Sequence, residues 1–191
     1  MPALGYVFRM RKPALVLATL ALLLLSGCQT DDPTVVPQPE PTTTPLFASD
    51  EEALAAAEEA YGAYQAVLDQ ITSDGGIESD RLLAVATQAV LDHEQKGFDE
   101  TRSYGERTVG ARKFDSMSVQ SSDLLSEEST IVVYVCDDFS GLDLVDSTGV
   151  SVVAKERQTR YPLVVGFDAT GPGSSLLVSS TDDWTGGNFC E

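Results

Sequence analysis

The sequence predicts an α+β domain in which two N-terminal helices pack on a curved antiparallel sheet of four to six strands. Three observations lead to this fold class. Apolar residues recur every three or four positions between residues 49 and 97, as on one face of a helix. Beyond Gly97 the apolar period falls to two, and turn residues follow at hairpin spacing. Helices followed by a run of strands are typical of α+β domains.

A targeting segment precedes this domain. Arg9, Arg11 and Lys12 form a basic region, and residues 14–25 are then apolar except for Thr19. This run is shorter than the roughly 20 apolar residues that span a bilayer, and it fits the apolar part of a signal peptide. We therefore expect an export signal at the N-terminus.

The apolar run ends in Leu25-Ser26-Gly27-Cys28, which resembles the lipobox of bacterial lipoproteins. In that family the cysteine thiol receives a diacylglyceryl group, and a peptidase cleaves just before it. The resemblance implies a signal peptide at 1–27 and lipidation at Cys28. The alternative is an ordinary secretory signal in which Cys28 is incidental.

Residues 28–47 are predicted to be the lipidated cysteine and a Pro/Thr-rich tether. Five of the nine prolines lie between residues 29 and 47, a composition that favours extended polyproline II and buries little surface. The single cone-like domain is then expected at 48–191.

Charge excludes one class of function. The chain has 12 Lys and Arg against 30 Asp and Glu, a formal net charge of −18. Cleavage before Cys28 would remove three bases and no acids, so nine bases would face 30 acids, a net charge of −21. Nucleic-acid binding is not expected, since it depends on clustered Lys and Arg. Acyl chains, two of which suffice for stable anchoring, would have to hold the protein to the membrane.

Both predicted helices have start and stop signals. Ser49 and Glu52 form a capping box for the first helix, and Gly75-Gly76 ends it. The second helix is expected to begin at Ser79 and to end at Gly97. The apolar stripe of the first helix consists of Leu54, Ala57, Tyr61, Tyr64, Leu68 and Ile71.

The strands are predicted from alternation and from β-branched runs. The clearest is the run Ile131 to Val135, which is typical of a central strand. We expect a hairpin in which 142–145 pairs with 150–153 across an Asp-Ser-Thr-Gly turn. The remaining strands are expected at 109–119, 161–167 and 176–180.

This order of elements resembles the nuclear-transport-factor-two-like, or cystatin-like, cone. Residues 134–138 (Tyr-Val-Cys-Asp-Asp), the 146–149 turn and Trp184…Gly187…Cys190 also resemble small actinobacterial lipoproteins of unassigned function. The resemblance covers roughly residues 50–191. Enzymes of the cone superfamily often place an Asp or His base inside the cavity between helices and sheet.

His93 is the single histidine, so any histidine-dependent mechanism must use it. It is a candidate for the catalytic base of an isomerase- or cyclase-type enzyme. The simpler interpretation is a histidine near a helix C-terminus, where the helix dipole and acidic neighbours favour it. No cofactor is expected.

Three further groups each permit two interpretations. The first group consists of four aspartates that either bind Ca²⁺ weakly or only mark acidic turns: Asp137, Asp138, Asp143 and Asp146. Because the spacing of an EF-hand is missing, no metal site is predicted. The second group is basic and consists of Lys155, Arg157 and Arg160. These side chains either contact an acidic partner or a lipid headgroup, or they are the solvated ends of two strands. We favour the solvated strand ends. Core is favoured over a pocket lining for six aromatic residues: Tyr61, Tyr64, Phe114, Tyr134, Phe167 and Trp184.

Two cysteines remain once Cys28 is lipidated. Exported proteins meet oxidising conditions, so Cys136 and Cys190 are predicted to form a disulfide. The sequence as a whole predicts a lipoprotein anchored on the extracytoplasmic face of the cell membrane, with a non-enzymatic role in binding an unidentified envelope ligand or protein. The alternative is the cavity enzyme with His93 or an Asp as base.

Overall fold

Within residues 46–123, 128–170 and 174–191, which the computed structural model describes, two α-helices and a 3₁₀ helix precede six β-strands. The signal segment, Cys28 and the tether up to residue 45 lie outside the described residues. The elements are α1 (Asp50–Ser73), the 3₁₀ helix (Ser79–Ala84), α2 (Gln88–Tyr104), β1 (Arg107–Gly110), β2 (Lys113–Asp123), β3 (Glu128–Asp138), β4 (Leu142–Val145), β5 (Arg160–Thr170) and β6 (Leu177–Asp183). The predicted α+β class is confirmed.

Helix α1 begins and ends where its local signals predict. The Ser49 side chain accepts a hydrogen bond from the Glu52 backbone N–H at 3.3 Å, and the Glu52 carboxylate accepts one from the Ala48 N–H at 2.8 Å. These bonds satisfy N–H groups that have no partner within the helix. Gly75 and Gly76 follow the helix with positive φ angles of 78° and 77°.

The prediction of the second helix is wrong at both ends. Residues 79–84 form the 3₁₀ helix, and α2 starts only at Gln88, because the chain between them hydrogen-bonds to β6. The Val85 carbonyl accepts a bond from the Val178 N–H, and the Thr87 N–H donates to the Val178 carbonyl. Gly97 lies inside α2, which continues to Tyr104 because Phe98 is buried in the core.

The main sheet has the strand order β2-β3-β5-β6, and all of its pairs are antiparallel. Strands β3 and β5 pair along their full length, from Glu128↔Thr170 to Asp138↔Arg160. Alternation places one set of side chains toward the helices, where they are fully buried. This set includes Ile131, Val133, Val135, Val165 and Phe167.

The predicted hairpin at 142–153 forms, but only its first half is a regular strand. The Asp146 N–H donates to the Val150 carbonyl, and the Val152 N–H donates to the Leu144 carbonyl. Strand β4 pairs with β1, whereas residues 150–153 contribute one isolated bridge, Val145↔Ser151. The Asp146 carboxylate closes the turn by accepting hydrogen bonds from the N–H groups of Thr148 and Val150, and the chain leaves the sheet after residue 153.

Gly110 is needed at the end of β1 because a Cβ there would lie 2.0 Å from the Gly141 carbonyl oxygen.

The C-terminal segment covers the other face of the main sheet. Cys190 is disulfide-bonded to Cys136, as predicted, with their Cα atoms 5.5 Å apart. Trp184 and Phe189 both make edge-to-face contacts with Tyr134, at centroid distances of 5.0 and 6.1 Å. The sheet is therefore covered on one face by helices and partly on the other by this segment.

Leu46 and Phe47 correct the predicted tether boundary. The sequence places both residues in a tether that buries little surface. In the structure both are partly buried and pack against the hydrophobic core. Stabilising contacts therefore begin before the α1 capping box.

Candidate functional site

The space between the helices and the sheet is filled with side chains. Tyr61 is 1% exposed and Phe167 is fully buried, with their ring centroids 6.4 Å apart. Tyr64 and Phe114 also pack around the Tyr61 ring. These four aromatic residues belong to the core, as favoured from the sequence, whereas Tyr134 and Trp184 lie on the opposite face of the sheet.

His93 lies on an exposed part of α2. It is the sixth residue of the helix, so the expectation that it lies near a helix C-terminus is wrong, because α2 continues to Tyr104. His93 is not among the residues that line the cavities at α1 and at β4.

Asp137 is a buried carboxyl group beneath α1. It is 4% exposed, and its Oδ1 atom accepts hydrogen bonds from the Tyr61 hydroxyl and from Gln65 Nε2, both at 2.8 Å. Burial raises the pKa of Asp137 to about 6, although both hydrogen bonds and the charge of Arg112 act in the opposite direction. Burial and the neighbouring carboxylate together raise the pKa of Tyr61 well above its ordinary value.

A second layer of charged groups surrounds this carboxyl group. Arg112 donates from Nε to the Asp69 carboxylate at 2.7 Å, and their side chains are 12% and 17% exposed. The Arg112 guanidinium also lies 5.6 Å from the centroid of the Phe139 ring. Tyr64 donates to Glu94 at 3.2 Å, and burial is the main cause that raises its pKa. The cluster can bind a proton near neutral pH, at a carboxyl group covered by α1.

The four aspartates considered for calcium point to different partners. Asp137 lies in the core, and Asp138 accepts hydrogen bonds from the Ser140 N–H and from Arg160. Asp143 accepts from the Ser151 hydroxyl at 2.8 Å, and Asp146 closes its own turn. Within the described residues, no group of three or more His, Cys, Asp or Glu side chains is placed to hold a metal ion.

The expectation of solvated strand ends is wrong for Arg157; Arg160 does begin β5 with 35% of its side chain exposed, but it also has specific partners. Arg160 donates to the Cys190 carbonyl oxygen at 2.8 Å and to the carboxylates of Asp115 and Asp138, so it ties the C-terminal segment to the sheet. Arg157 is half-buried and donates from Nη2 to the carbonyl oxygens of Phe139 and Leu142. Lys155 is exposed, as expected.

Two adjoining cavities, both wide open to solvent, lie beside Arg157, between β4 and the 150–159 segment. The first, here called the apolar chamber, has a volume of about 300 Å³. The second, the polar chamber, has a volume of about 340 Å³. Leu142, Asp143, Val153 and Arg157 line both chambers. The apolar chamber is otherwise lined mainly by Phe139, Leu144 and Tyr161, and the polar chamber by Ser140, Ser151, Lys155 and Thr159.

A third cavity of about 330 Å³ lies between α1 and the start of β6. Its α1 wall consists of small side chains, Ala56, Ala60 and Ala63. Glu59 is the one charged residue among those that line it, and no cation lies opposite. It therefore offers less to a specific ligand than the paired chambers do.

Sequence reasoning missed most of the residues that form these sites. Gln65 directly follows Tyr64, and a polar residue there on the apolar face of a helix indicates a buried polar partner. Arg112 and Phe139 carry no comparable local signal, because their contacts are with distant parts of the chain. The chambers form only where the 150–159 segment folds back on β4.

Neither a protein-family model nor a curated protein matches the sequence. Among solved structures, the intermembrane space region of the chloroplast protein ARC6 is similar in fold, with a TM-score of 0.49 and 12% identity. The match covers 70% of this chain and 97% of that chain. At this TM-score and identity, the likeness says nothing about what this chain binds or does. In the part of the chain that the structure describes, no helix combines the length and hydrophobicity that crossing a membrane requires.

Proposed function

We propose that this chain is a lipoprotein anchored on the extracytoplasmic face of a bacterial cell membrane, and that its domain binds an envelope ligand or protein without catalysis. The anchoring part of the proposal is supported by Leu25-Ser26-Gly27-Cys28, placed directly after an apolar run of signal-peptide length. The Cys136–Cys190 disulfide supports export, since disulfides persist mainly in oxidising compartments.

The observation that carries the binding function is the pair of chambers at Arg157. Ligand sites are usually preformed concave pockets of about 300–1,000 Å³ with apolar walls and a few placed polar groups. The apolar chamber has this size and this lining, and the polar chamber continues it toward charged and hydroxyl-bearing side chains. By contrast, the helix-facing side of the main sheet is filled with core residues.

Anchoring is tested by Cys28→Ser. Cells are labelled with an alkyne fatty acid, and their membrane and soluble fractions are compared. The wild-type protein is expected to carry label and to sediment with membranes, whereas Cys28→Ser should lose the label and leave the membrane. Gln29→Ser, one residue further on, is the matched control and should behave like the wild type. Label on the Cys28→Ser protein would contradict lipidation at this cysteine.

Binding is tested by native mass spectrometry of protein purified from its own cells. Val153→Trp should fill the chambers, which Val153 lines, and abolish any co-purified ligand mass. Val152→Trp is the matched control: the neighbouring side chain is 46% exposed and lies outside both linings. Equal retention of a ligand by the two variants would place its binding site elsewhere.

A further inference from the structure

We infer that the paired chambers bind a small amphipathic monocarboxylate, with its apolar part in the apolar chamber and its carboxylate at Arg157 and Lys155 in the polar chamber. This inference rests on the proposed binding function and names the ligand class of that same site.

The division of the cavity indicates an amphipathic ligand. Phe139, Leu144 and Tyr161 line only the apolar chamber, whereas Ser140, Lys155 and other polar residues line only the polar one. A wholly apolar ligand would leave the polar chamber without a function, and a wholly polar ligand would gain nothing from the apolar walls. The apolar chamber is at the lower end of the volumes of ligand pockets, so the ligand's apolar part is small.

The charges at the junction indicate an anionic group. Neither Arg157 nor Lys155 has a carboxylate of the described residues within 4.0 Å, although the chain carries a formal net charge of −18. A half-buried guanidinium without a counter-ion favours an anion in the adjacent space, because surrounding water screens its charge only in part.

The contacts of Arg157 place its charge at the junction without neutralising it. Its Nη2 atom donates to the carbonyl oxygens of Phe139 and Leu142, which hold the side chain between the chambers. Carbonyl oxygens carry no net charge, so the guanidinium remains a full cation. Hydrogen bonds between a guanidinium and a carboxylate are among the strongest that proteins make.

The balance of charge favours a monoanion over a dianion. Asp143 also lines both chambers, and its Oδ1 atom accepts hydrogen bonds from the Ser151 hydroxyl and the Leu144 N–H. Two cations and one carboxylate therefore line the site, a net charge of +1. A dianionic phosphate would exceed this charge, whereas a monocarboxylate matches it.

The probe for this inference is octanoate, compared with octanol, octylammonium and acetate. The binding measurements use the mature chain, residues 28–191, with Cys28→Ser, so that neither detergent nor the apolar signal segment competes. Isothermal titration calorimetry at low ionic strength gives each Kd, and ¹³C NMR of carboxyl-labelled octanoate reports on the headgroup. We expect octanoate to bind at least tenfold more tightly than the other three probes, and its affinity to fall as salt screens the charges.

Two charge variants separate binding from folding. Lys155→Gln, on an exposed side chain, should weaken octanoate binding about threefold, as is typical of one exposed charge, and should leave octanol binding unchanged. Lys96→Gln removes the same charge from α2, where the side chain is 85% exposed, and should change neither affinity. Arg157→Gln should weaken octanoate binding at least tenfold, and circular dichroism of the same sample shows whether that variant is folded.

Several results would overturn the ligand class. If octanol or octylammonium bound as tightly as octanoate, the carboxylate would not be what the site recognises. The proposal that the pocket binds a ligand would still be supported. Binding of none of the probes, together with a co-purified protein that shields Val150 and Val152, would assign this surface to a protein partner. The Val153→Trp comparison in native mass spectrometry tests the broader binding function independently of any of these results.

Discussion

Replacing the buried Asp137 by Asn should stabilise the domain at neutral pH. The Tyr61 hydroxyl and Gln65 Nε2 both donate to the same oxygen of Asp137, its Oδ1. The side-chain oxygen of an Asn at this position can accept both of these hydrogen bonds. The substitution therefore keeps the shape and these bonds but removes a negative charge from the core. The charge of Arg112 attenuates the gain, because it favours the ionised carboxylate.

The size and pH range of the gain follow from the pKa. Burial raises the pKa of Asp137 from 3.8 to about 6. At roughly 1.4 kcal/mol per pKa unit, the ionised carboxylate lowers the free energy of unfolding by about 3 kcal/mol. Between pH 4 and pH 6 the native state retains a proton that the unfolded chain has lost, so the contribution of Asp137 to stability is lost as the pH rises through this range. The gain from Asp137→Asn should therefore be near zero at pH 3.5 and about 3 kcal/mol above pH 7.

The assay is urea unfolding followed by circular dichroism, with the disulfide intact, at intervals from pH 3.5 to pH 8. The difference between wild type and Asp137→Asn removes the contributions of other carboxyl groups, such as Asp115, whose pKa is lowered mainly by its hydrogen bond with Arg160. Tyr61→Phe is the companion variant, because it removes one donor to the carboxylate. At pH 8, Tyr61→Phe should lower the free energy of unfolding of the wild type by about 2 kcal/mol, and that of the Asp137→Asn variant by clearly less. A destabilising Asp137→Asn substitution whose effect is the same at every pH would refute the reasoning.

Three substituted variants and one deletion test separate parts of the structure by thermal or urea unfolding. Arg112→Met should lower the free energy of unfolding by about 3 kcal/mol, since it removes the guanidinium that pairs with the largely buried Asp69 carboxylate and leaves only the backbone N–H of residue 112 as a donor; an unchanged melting temperature would contradict this. The double variant Cys136→Ala/Cys190→Ala should lose roughly 4 kcal/mol, because it opens a loop of 54 residues, and no loss would mean that other contacts hold the C-terminal segment. Phe47→Ala should lower the free energy of unfolding by about 1 kcal/mol, because Phe47 packs against the core. Deletion of residues 29–44 should change the melting temperature by no more than about a degree. A large effect of the deletion would show that the predicted tether stabilises the domain.

Elements with local start and stop signals were predictable from the sequence. Helix α1 is defined by the Ser49 cap, its apolar stripe and the two glycines that follow it, all within one short stretch of chain. The central strand β3 is likewise marked by its own β-branched run. The disulfide was predictable because lipidation of Cys28 would leave two cysteines to pair.

Long-range pairing accounts for the errors. The backbone of Val85 and Thr87 bonds to β6, about 90 residues away, and this pairing splits the predicted second helix. Strand β4 pairs along its length with β1, which precedes β2 and β3 in the chain, while residues 150–153 add only one bridge on its other edge. The same 150–159 segment then forms the chambers, so Arg157 was identified from the sequence as part of a basic cluster but placed in the wrong surroundings.

Intact-mass spectrometry of the protein extracted from membranes tests the central claim, an exported and lipid-anchored domain, most directly. We expect a mass equal to residues 28–191 plus a diacylglyceryl group and any further acyl chain, with all added lipid on Cys28. On reduction the mass should rise by two hydrogen atoms as the Cys136–Cys190 bond opens. An unprocessed chain, or residues 28–191 without lipid and with all three thiols free, would contradict the claim.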